Sequence, residues 1–372
     1  MIGGGAIGLA IAWRLAAAGC GVDLFERGEA GHGASWAAAG MLAAGIEAEP
    51  GEIPLYALNR RSQQLWPAFA AELEAASGMS VGYRGDGTLA VAFTRDDAAR
   101  LRFHHDFQRT LGVPLEWLSG AEARRREPYL NPGLVAAVLS PDDHQVDNRA
   151  LVTALRRAFL AAGGRLHEHS PVSGVDTAGG RVTGVRIGDR RHSADRVILA
   201  AGAWSAEVSD IPDHGRPPVR PVKGQMLALQ MNPDAPLLRH VLWTPTAYLV
   251  PRRDGRLIVG ATVEERGFDT SLTAGGIFSL LDGAWRALPG IEDLPIDEMW
   301  VGFRPGSRDD APMLGPSGVD GLVLATGHHR NGILLTPVTA DTVSRFILSD
   351  EVDEAIRPFA VDRFRAPVKE KA

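Results

Sequence analysis

The sequence predicts an α/β protein in two parts, a helix-covered parallel sheet and a second, mostly antiparallel β-sheet. Three observations carry that prediction. The chain opens on Gly3-Gly4-Gly5-Ala6-Ile7-Gly8, a G-x-G-x-x-G spacing followed by helical and then strand-like patterning. Two apolar runs ending in small residues, 196–205 and 321–327, occur in the second half. Elsewhere lie stretches with strand-like runs such as 89–93 and 256–262.

The first element is the most informative. Ile7, Ile11 and Leu15 fall on one helical face, and Gly19 supplies a stop. Gly21-Val22-Asp23-Leu24-Phe25-Glu26 then reads as a second strand ending in an acid. Glu26 lies 18 residues after Gly8, near the spacing of a ribose-binding carboxylate. Gly3 allows a tight turn, Gly5 lets backbone approach a pyrophosphate, and Gly8 lets helix and strand pack closely, with the helix N-terminus facing the anion. Only Met1 and Ile2 precede the motif, where this fold needs about five residues of buried strand. The first strand is therefore expected to be cut short, and the natural chain to begin upstream.

The next element selects the dinucleotide. Segment 33–43 is dense in Ala and Gly, which lets backbone approach a flat, bulky ligand. Taken alone it reads equally as an Ala-rich core helix. A simple nicotinamide domain has no need of it. FAD does, because it lies extended with its ring far from the first glycine loop. Run 196–205 follows a β-ladder at 182–187 and reads as a buried strand under the cofactor. Strand 321–327, a polar loop from His328 to Pro337 and a helix over 338–348 can present a helix N-terminus to the flavin ring's electron-rich edge.

Composition excludes other classes. At 372 residues the chain spans two or three domains and can bury a core without staples. A net charge of -6 argues against nucleic-acid binding, and Arg124-Arg125-Arg126 reads as the solvated face of a helix. Cys20 is the single cysteine, which rules out an internal disulfide or CxxC site and fits a reducing, cytoplasmic setting. Cys20 itself reads as a small buried hydrophobe. No apolar stretch reaches the roughly 18 residues of a membrane span. His104-His105 and His167-x-His169 lack companion Cys or carboxylate sets, so no metal is expected. A homo-oligomer is compatible with the sequence, which does not set the number of copies.

Six segments in order carry a family resemblance: GGGAIG at 3–8, SWAAAGML at 35–42, PVKGQML at 221–227, YLVPRRDGRLIVGAT at 248–262, WVGFRPGSRDDAPMLG at 300–315 and GHHRNGILLTP at 327–337. Over nearly its whole length the chain resembles the D-amino-acid oxidase superfamily of FAD-dependent amine oxidases, and within it the glycine oxidases of thiamine biosynthesis. The resemblance implies a two-dinucleotide-binding-fold FAD domain over 1–78, 142–215 and 310–372, and a substrate domain over 79–141 and 216–309 whose antiparallel sheet covers the flavin. It implies Ala6 and Ile7 over the pyrophosphate, Glu26 at the ribose with Arg27 beside it, and Ala34 and Ser35 as the next FAD contacts. Ala39, Gly40 and Met41 fall close to the ring, and Val172 at the adenine. His328, His329, Arg330, Asn331, Gly332, Ile333 and Leu334 match the C-terminal flavin loop. Arg304 matches the arginine that holds the substrate carboxylate, Tyr248 a tyrosine supporting it, and Arg330 a second substrate-side arginine. Relatives with covalent flavin use a histidine where this chain has Ala37, or a cysteine in the C-terminal half, so FAD is expected to be non-covalent. Val263 stands where a glycine oxidase can carry methionine beside the pocket.

The residues support this chemistry independently. Arginine's fork matches a carboxylate through two parallel hydrogen bonds, and Phe303-Arg304-Pro305-Gly306 would hold it at a strand end. Each also has a plainer reading: Arg304 as a surface ion pair, Tyr248 as an amphipathic core ring, Arg330 as part of the flavin loop alone. Hydride loss from the Cα of a neutral amine needs no protein base at carbon, so no side chain is assigned as catalytic and the histidines are read as FAD contacts. The expected function is oxidation of glycine or a small amine such as sarcosine to its imine, with O2 reoxidising the flavin to give H2O2 and the imine feeding thiazole formation. Alternatives are a D-amino-acid oxidase, an amino-acid dehydrogenase with another electron acceptor, and a non-enzymatic FAD-binding protein.

Overall fold

The computed structural model describes residues 1–365. Residues 366–372, the end of the third expected cofactor segment, lie outside the described residues.

A parallel sheet runs Arg165–His167, Asp23–Phe25, Val197–Leu199, Leu322–Thr326, with Met313–Pro316 antiparallel at one edge. The two halves of this sheet meet at one residue. Ile2 bridges Phe25 on one side and Leu199 on the other. The Ile2 N–H donates to Ile198 O at 2.9 Å and its carbonyl accepts from Ala200 at 2.8 Å. The first strand is thus a single bridging residue, only 4% exposed.

Alternation along these short strands feeds two different cores. Leu24, Ile198 and Val323 point to helices Ala6–Ala17, Ile53–Ser77, Asn148–Ala161 and Thr336–Ser349. Phe25, Leu199, Leu322 and Leu324 point the other way, onto Val175 and Val185 of an antiparallel three-stranded sheet. Strands buried on both faces read as continuous apolar runs, which is why 197–200 and 322–325 carry no polar residue.

The second sheet has eight strands in the order Ile296–Gly306, Arg220–Gln230, Arg256–Gly260, Tyr248–Pro251, Val241–Trp243, Thr88–Ala92, Ala136–Ser140, Glu116–Ser119. All neighbours are antiparallel except Val241–Trp243 with Thr88–Ala92. Period-two alternation again sorts the faces. Leu227 and Leu229 pack with Leu280 and Ala284 of helix Ala274–Ala287. Met226 and Ala228 point to the opposite face, which packs on Ala37 and Ala39 of the Ala-rich segment.

Several expectations are corrected in detail. Segment 33–43 is neither one helix nor a loop: Ala34–Ala37 is a single helical turn and Met41–Leu42 a short strand. The strand expected at 89–93 is Thr88–Ala92, that at 256–262 is Arg256–Gly260, and that within 196–205 is only Val197–Leu199. The C-terminal helix begins at Thr336. Cys20 is half-buried rather than buried, packed at the edge of the helical core.

The Ala-rich segment is tied down from both sides. Buried Arg252 donates from Nη2 to Ala39 O at 2.7 Å and to Asn148 Oδ1 at 3.0 Å, and from Nη1 to Gln145 Oε1 and Val146 O. Burial lowers its guanidinium to about 10, so it stays charged at neutral pH. Asn148 Nδ2 donates to Ser35 O and Trp36 O, and Trp300 Nε1 to Ala37 O at 3.0 Å. These bonds satisfy carbonyls that the short turn leaves open.

Candidate active site

Two cavities, of about 440 and 350 Å³, meet along the Ala-rich turn. The larger is lined by Gly3, Gly5, Ala6, Glu26, Arg27, Val172 and His328. The smaller is lined by Ala39, Gly40, Met41, Tyr248, Arg304 and residues His329, Arg330, Asn331, Gly332, Ile333 and Leu334. Ile7, Ala34 and Ser35 line both, so the two form one trough. Gly8 lines neither and instead lies beneath the loop, where a Cβ would sit 2.0 Å from Gly3 O.

The larger cavity is built by close backbone approach. Gly3 has φ +98° and leaves no room for a side chain, whose Cβ would lie 2.4 Å from Ala200 O. Gly5 differs: its Cβ would meet only Ser35 Oγ, at 3.1 Å. Gly5 caps helix Ala6–Ala17 without any side-chain bond, Ser35 Oγ accepts from Ala6 N–H at 2.9 Å, and the rest of the first turn has no helix partner for its N–H groups. Glu26 faces this cavity while its Oε2 accepts from Gly4 N–H at 2.8 Å and its Oε1 from Gly28 N–H at 3.0 Å. The acid therefore braces the glycine loop and keeps lone pairs for a hydroxyl ligand. The Arg27 guanidinium stacks 3.5 Å over Trp204. A trough this long, with backbone N–H groups at one end and small residues along its middle, fits FAD.

The smaller cavity is where the charges are arranged. Strand Ile296–Gly306 pairs with Arg220–Gln230 in a register that sets Arg304 opposite Val222. Gly224 makes room for it, since a Cβ there would lie 2.6 Å from Arg304 Nη1. Nη1 donates to Thr262 O at 3.1 Å, and among the described residues no carboxylate pairs with Arg304. Gly260 likewise makes room for the Tyr248 ring, whose Oη a Cβ would meet at 2.6 Å. Burial pushes the Tyr248 phenol up, with Arg304 opposing, so it is a neutral donor at neutral pH.

The C-terminal loop reaches both cavities with consecutive residues. His328 is buried, with Nε2 3.1 Å from Thr339 Oγ1, and burial lowers it to about 3. His329 is lowered to about 4, chiefly by burial, and its Nδ1 has no hydrogen-bond partner among the described residues. Both rings are neutral at pH 7. Arg330 lines the smaller cavity, yet its Nε donates to Glu47 at 3.1 Å and its Nη2 to Glu52 at 2.7 Å. Its charge is already matched, unlike that of Arg304. Sequence reasoning missed Glu47, Gly224, Trp243 and Thr262. The first three also line the smaller cavity, and no local motif marks them.

A dinucleotide trough that ends at an unpaired guanidinium fits the class of FAD-dependent oxidoreductases. The family model described as DAO, FAD dependent oxidoreductase, matches residues 1–345, and the chain belongs to that family. It is 38% identical over 368 residues to the bifunctional protein ThiO/ThiG of Trichormus variabilis, which covers 98% of this chain and 55% of the relative. The chain spans about half the length of the three ThiO/ThiG relatives it matches. It is 36% identical to the glycine oxidase of Geobacillus kaustophilus, covering 98% of this chain and 96% of the relative. The crystal structure of that species' glycine oxidase superposes with a TM-score of 0.90 at 34% identity, covering 98% of each chain. An iminodiacetate oxidase from Chelativorans superposes with a TM-score of 0.87 at 27% identity, covering 97% of this chain and 98% of the other.

Proposed function

We propose that this chain oxidises glycine, or another small primary or secondary amine acid such as sarcosine, to its imine. The observation that carries the reading is Arg304, an unpaired guanidinium beside a neutral tyrosine in a cavity continuous with the cofactor trough. Bound in the trough, FAD would supply the two-electron oxidation, with O2 as terminal acceptor and H2O2 as its product. Arg304 and Tyr248 would grip the carboxylate, and the walls from Ala39 to Met41 and from Ile333 to Leu334 would exclude water around the reacting carbon. In this reading residues 1–78, 142–215 and 310–372 hold the cofactor, and 79–141 and 216–309 form the substrate side. The glycine oxidase and ThiO/ThiG relatives support the same substrate and a supply of imine to thiamine biosynthesis. The lone cysteine supports a reducing, cytoplasmic setting, and among the described residues no helix is long and apolar enough to cross a membrane.

The test is anaerobic mixing of the purified yellow protein with glycine, followed by air. Bleaching of the flavin and its recovery are expected, with D-phenylalanine reacting more slowly than glycine. Faster reduction by D-phenylalanine would reassign the enzyme to general D-amino-acid oxidation. A bleached flavin that recovers only with a quinone would make it a dehydrogenase, and a flavin that never bleaches would remove the enzymatic reading.

A second expected result concerns attachment. Ala37 is buried on the substrate-side sheet, and Cys20 lies at the edge of the helical core, packed away from both cavities. Neither is a nucleophile aimed at the ring. Acid precipitation should release all the FAD into the supernatant, and yellow colour held in the washed pellet would disprove non-covalent binding.

A further inference from the structure

The cavity that holds Arg304 also holds a carboxylate. Glu47 lines it, on the loop that follows strand Met41–Leu42. Its Oε2 accepts from Arg330, which also pairs with Glu52. Glu47 is the one carboxylate among the described residues lining this cavity, set there with the guanidiniums of Arg304 and Arg330, and Glu52 shares Arg330 from outside it. Arg304 for a carboxylate and Glu47 for an ammonium together suit a zwitterion. Glu47 Oε1 accepts no hydrogen bond among the described residues, and the residue lines the cavity. The loop that presents it is held in place: buried Asp143 accepts from Gly45 N–H at 2.8 Å and Ile46 N–H at 2.7 Å, and Gln108 Nε2 donates to Ile46 O at 2.8 Å.

The chemistry needs such a group. An amino acid arrives with its nitrogen protonated, and an ammonium has no lone pair to form the C=N bond as hydride leaves Cα. We propose that Glu47 accepts the proton of the substrate ammonium, making the amine neutral before oxidation. The proposal rests on the reading of the chain as an oxidase of small amino acids. In the transfer an N–H bond breaks and an O–H bond forms on Oε1. A carboxylate and an ammonium become a carboxylic acid and an amine, with no net change in charge. The proton passes to solvent once product has left.

The surroundings suit the role. Burial raises Glu47 to about 7, with Arg330 opposing and Asp143 and Glu52 adding repulsion. Near neutral pH the other titrating groups that line the cavity hold one state: Tyr248 and His329 are neutral, and Arg330 is charged. An acceptor whose pKa lies near the working pH is the most effective kind.

The test compares wild type, Glu47→Gln and Glu52→Gln across pH. In wild type, kcat/KM for glycine should rise as pH passes through about 7. In E47Q that limb should vanish, and the value at neutral pH should fall at least about tenfold, recovering only as glycine's own amine deprotonates. Glu52→Gln keeps the acceptor and removes a neighbour that raises it, so its limb should remain and move to lower pH. Acetate supplies a readout without turnover, because it has the carboxylate and no amine. Its binding, followed by the flavin absorbance, should weaken in wild type as Glu47 ionises and become independent of pH in E47Q. E47Q that keeps both the rate limb and the acetate dependence overturns the proposal, as does an E52Q limb that stays where it was. Wild type that glycine never bleaches at any pH defeats the oxidase reading itself, whereas a bleaching wild type with an unchanged E47Q profile defeats only the role of Glu47.

Discussion

Arg304→Ala should cut kcat/KM for glycine by between roughly thirtyfold and several thousandfold while FAD stays bound. The range follows from truncating one partner of a desolvated, hydrogen-bonded charge pair, about 2–5 kcal/mol. The geometry places the effect on substrate rather than cofactor. Arg304 lines the smaller cavity and takes no part in the glycine loop, Glu26 or the Arg27–Trp204 stack. Its position is set by eleven residues of strand, Ile296–Gly306, paired along Arg220–Gln230, so the backbone survives loss of the side chain. Both the apparent KM and the rate of flavin reduction should suffer, because the clamp holds the reacting carbon as well as the carboxylate. Arg304→Lys should recover only part of the loss, since an ammonium cannot make the two parallel bonds of the guanidinium. Reduction kinetics unchanged from wild type in the alanine variant would mean that Arg304 serves the fold and not the substrate.

The features legible in the sequence are those whose partners are near in the chain. The glycine loop, its helix and the strand Asp23–Phe25 with Glu26 after it lie within residues 3–26, and local spacing alone places them. Arg304 was legible because Pro305 and Gly306 mark a strand end, although its free charge depends on which acids surround it. Arg330 shows the limit of that logic. As a residue type it equals Arg304, but Glu47 and Glu52, 283 and 278 residues away, neutralise it. Glu47 and Arg252 were invisible for the same reason, Arg252 meeting Ala39 across 213 residues. Some missed structure did have a local signal. Helix Arg95–Thr110 sits in a segment read for its strands, yet Thr94 and Asp97 form a capping box that the sequence spells out. Helix Ala274–Ala287, capped by Thr273, was passed over in the same way.

Gly8→Ala should produce a protein that cannot retain FAD, and Gly5→Ala one that folds normally and binds it weakly. The two glycines stand three residues apart in one motif and do different work. A Cβ on Gly8 would sit 2.0 Å from Gly3 O, backbone against backbone. Gly3 cannot retreat, because its N–H is bound to Phe25 O at 2.9 Å and neighbouring Ile2 bridges Phe25 and Leu199 in the sheet. The helix must move instead, and Leu9, Ala10 and Ile11 on its next turn are fully buried. With backbone set against backbone, such overpacking costs about 3 kcal/mol or more, which for a chain of this length corresponds to a fall of at least roughly 4 °C in the Tm of the FAD-free protein. It also tilts the helix end that faces the pyrophosphate. On Gly5 the added Cβ meets one side-chain oxygen at 3.1 Å and projects into the larger cavity. The FAD-free Tm should then stay within about 2 °C of wild type, since no backbone is displaced. Its cost appears only when FAD is added, as a lower flavin content and a smaller rise in Tm with ligand. Calorimetric melting of each variant with and without FAD, alongside flavin absorbance per chain, separates the two roles. If Gly5→Ala melts as early as Gly8→Ala without FAD, both glycines serve the fold alone; if it retains FAD fully, the trough at Gly5 is not where the cofactor's backbone lies.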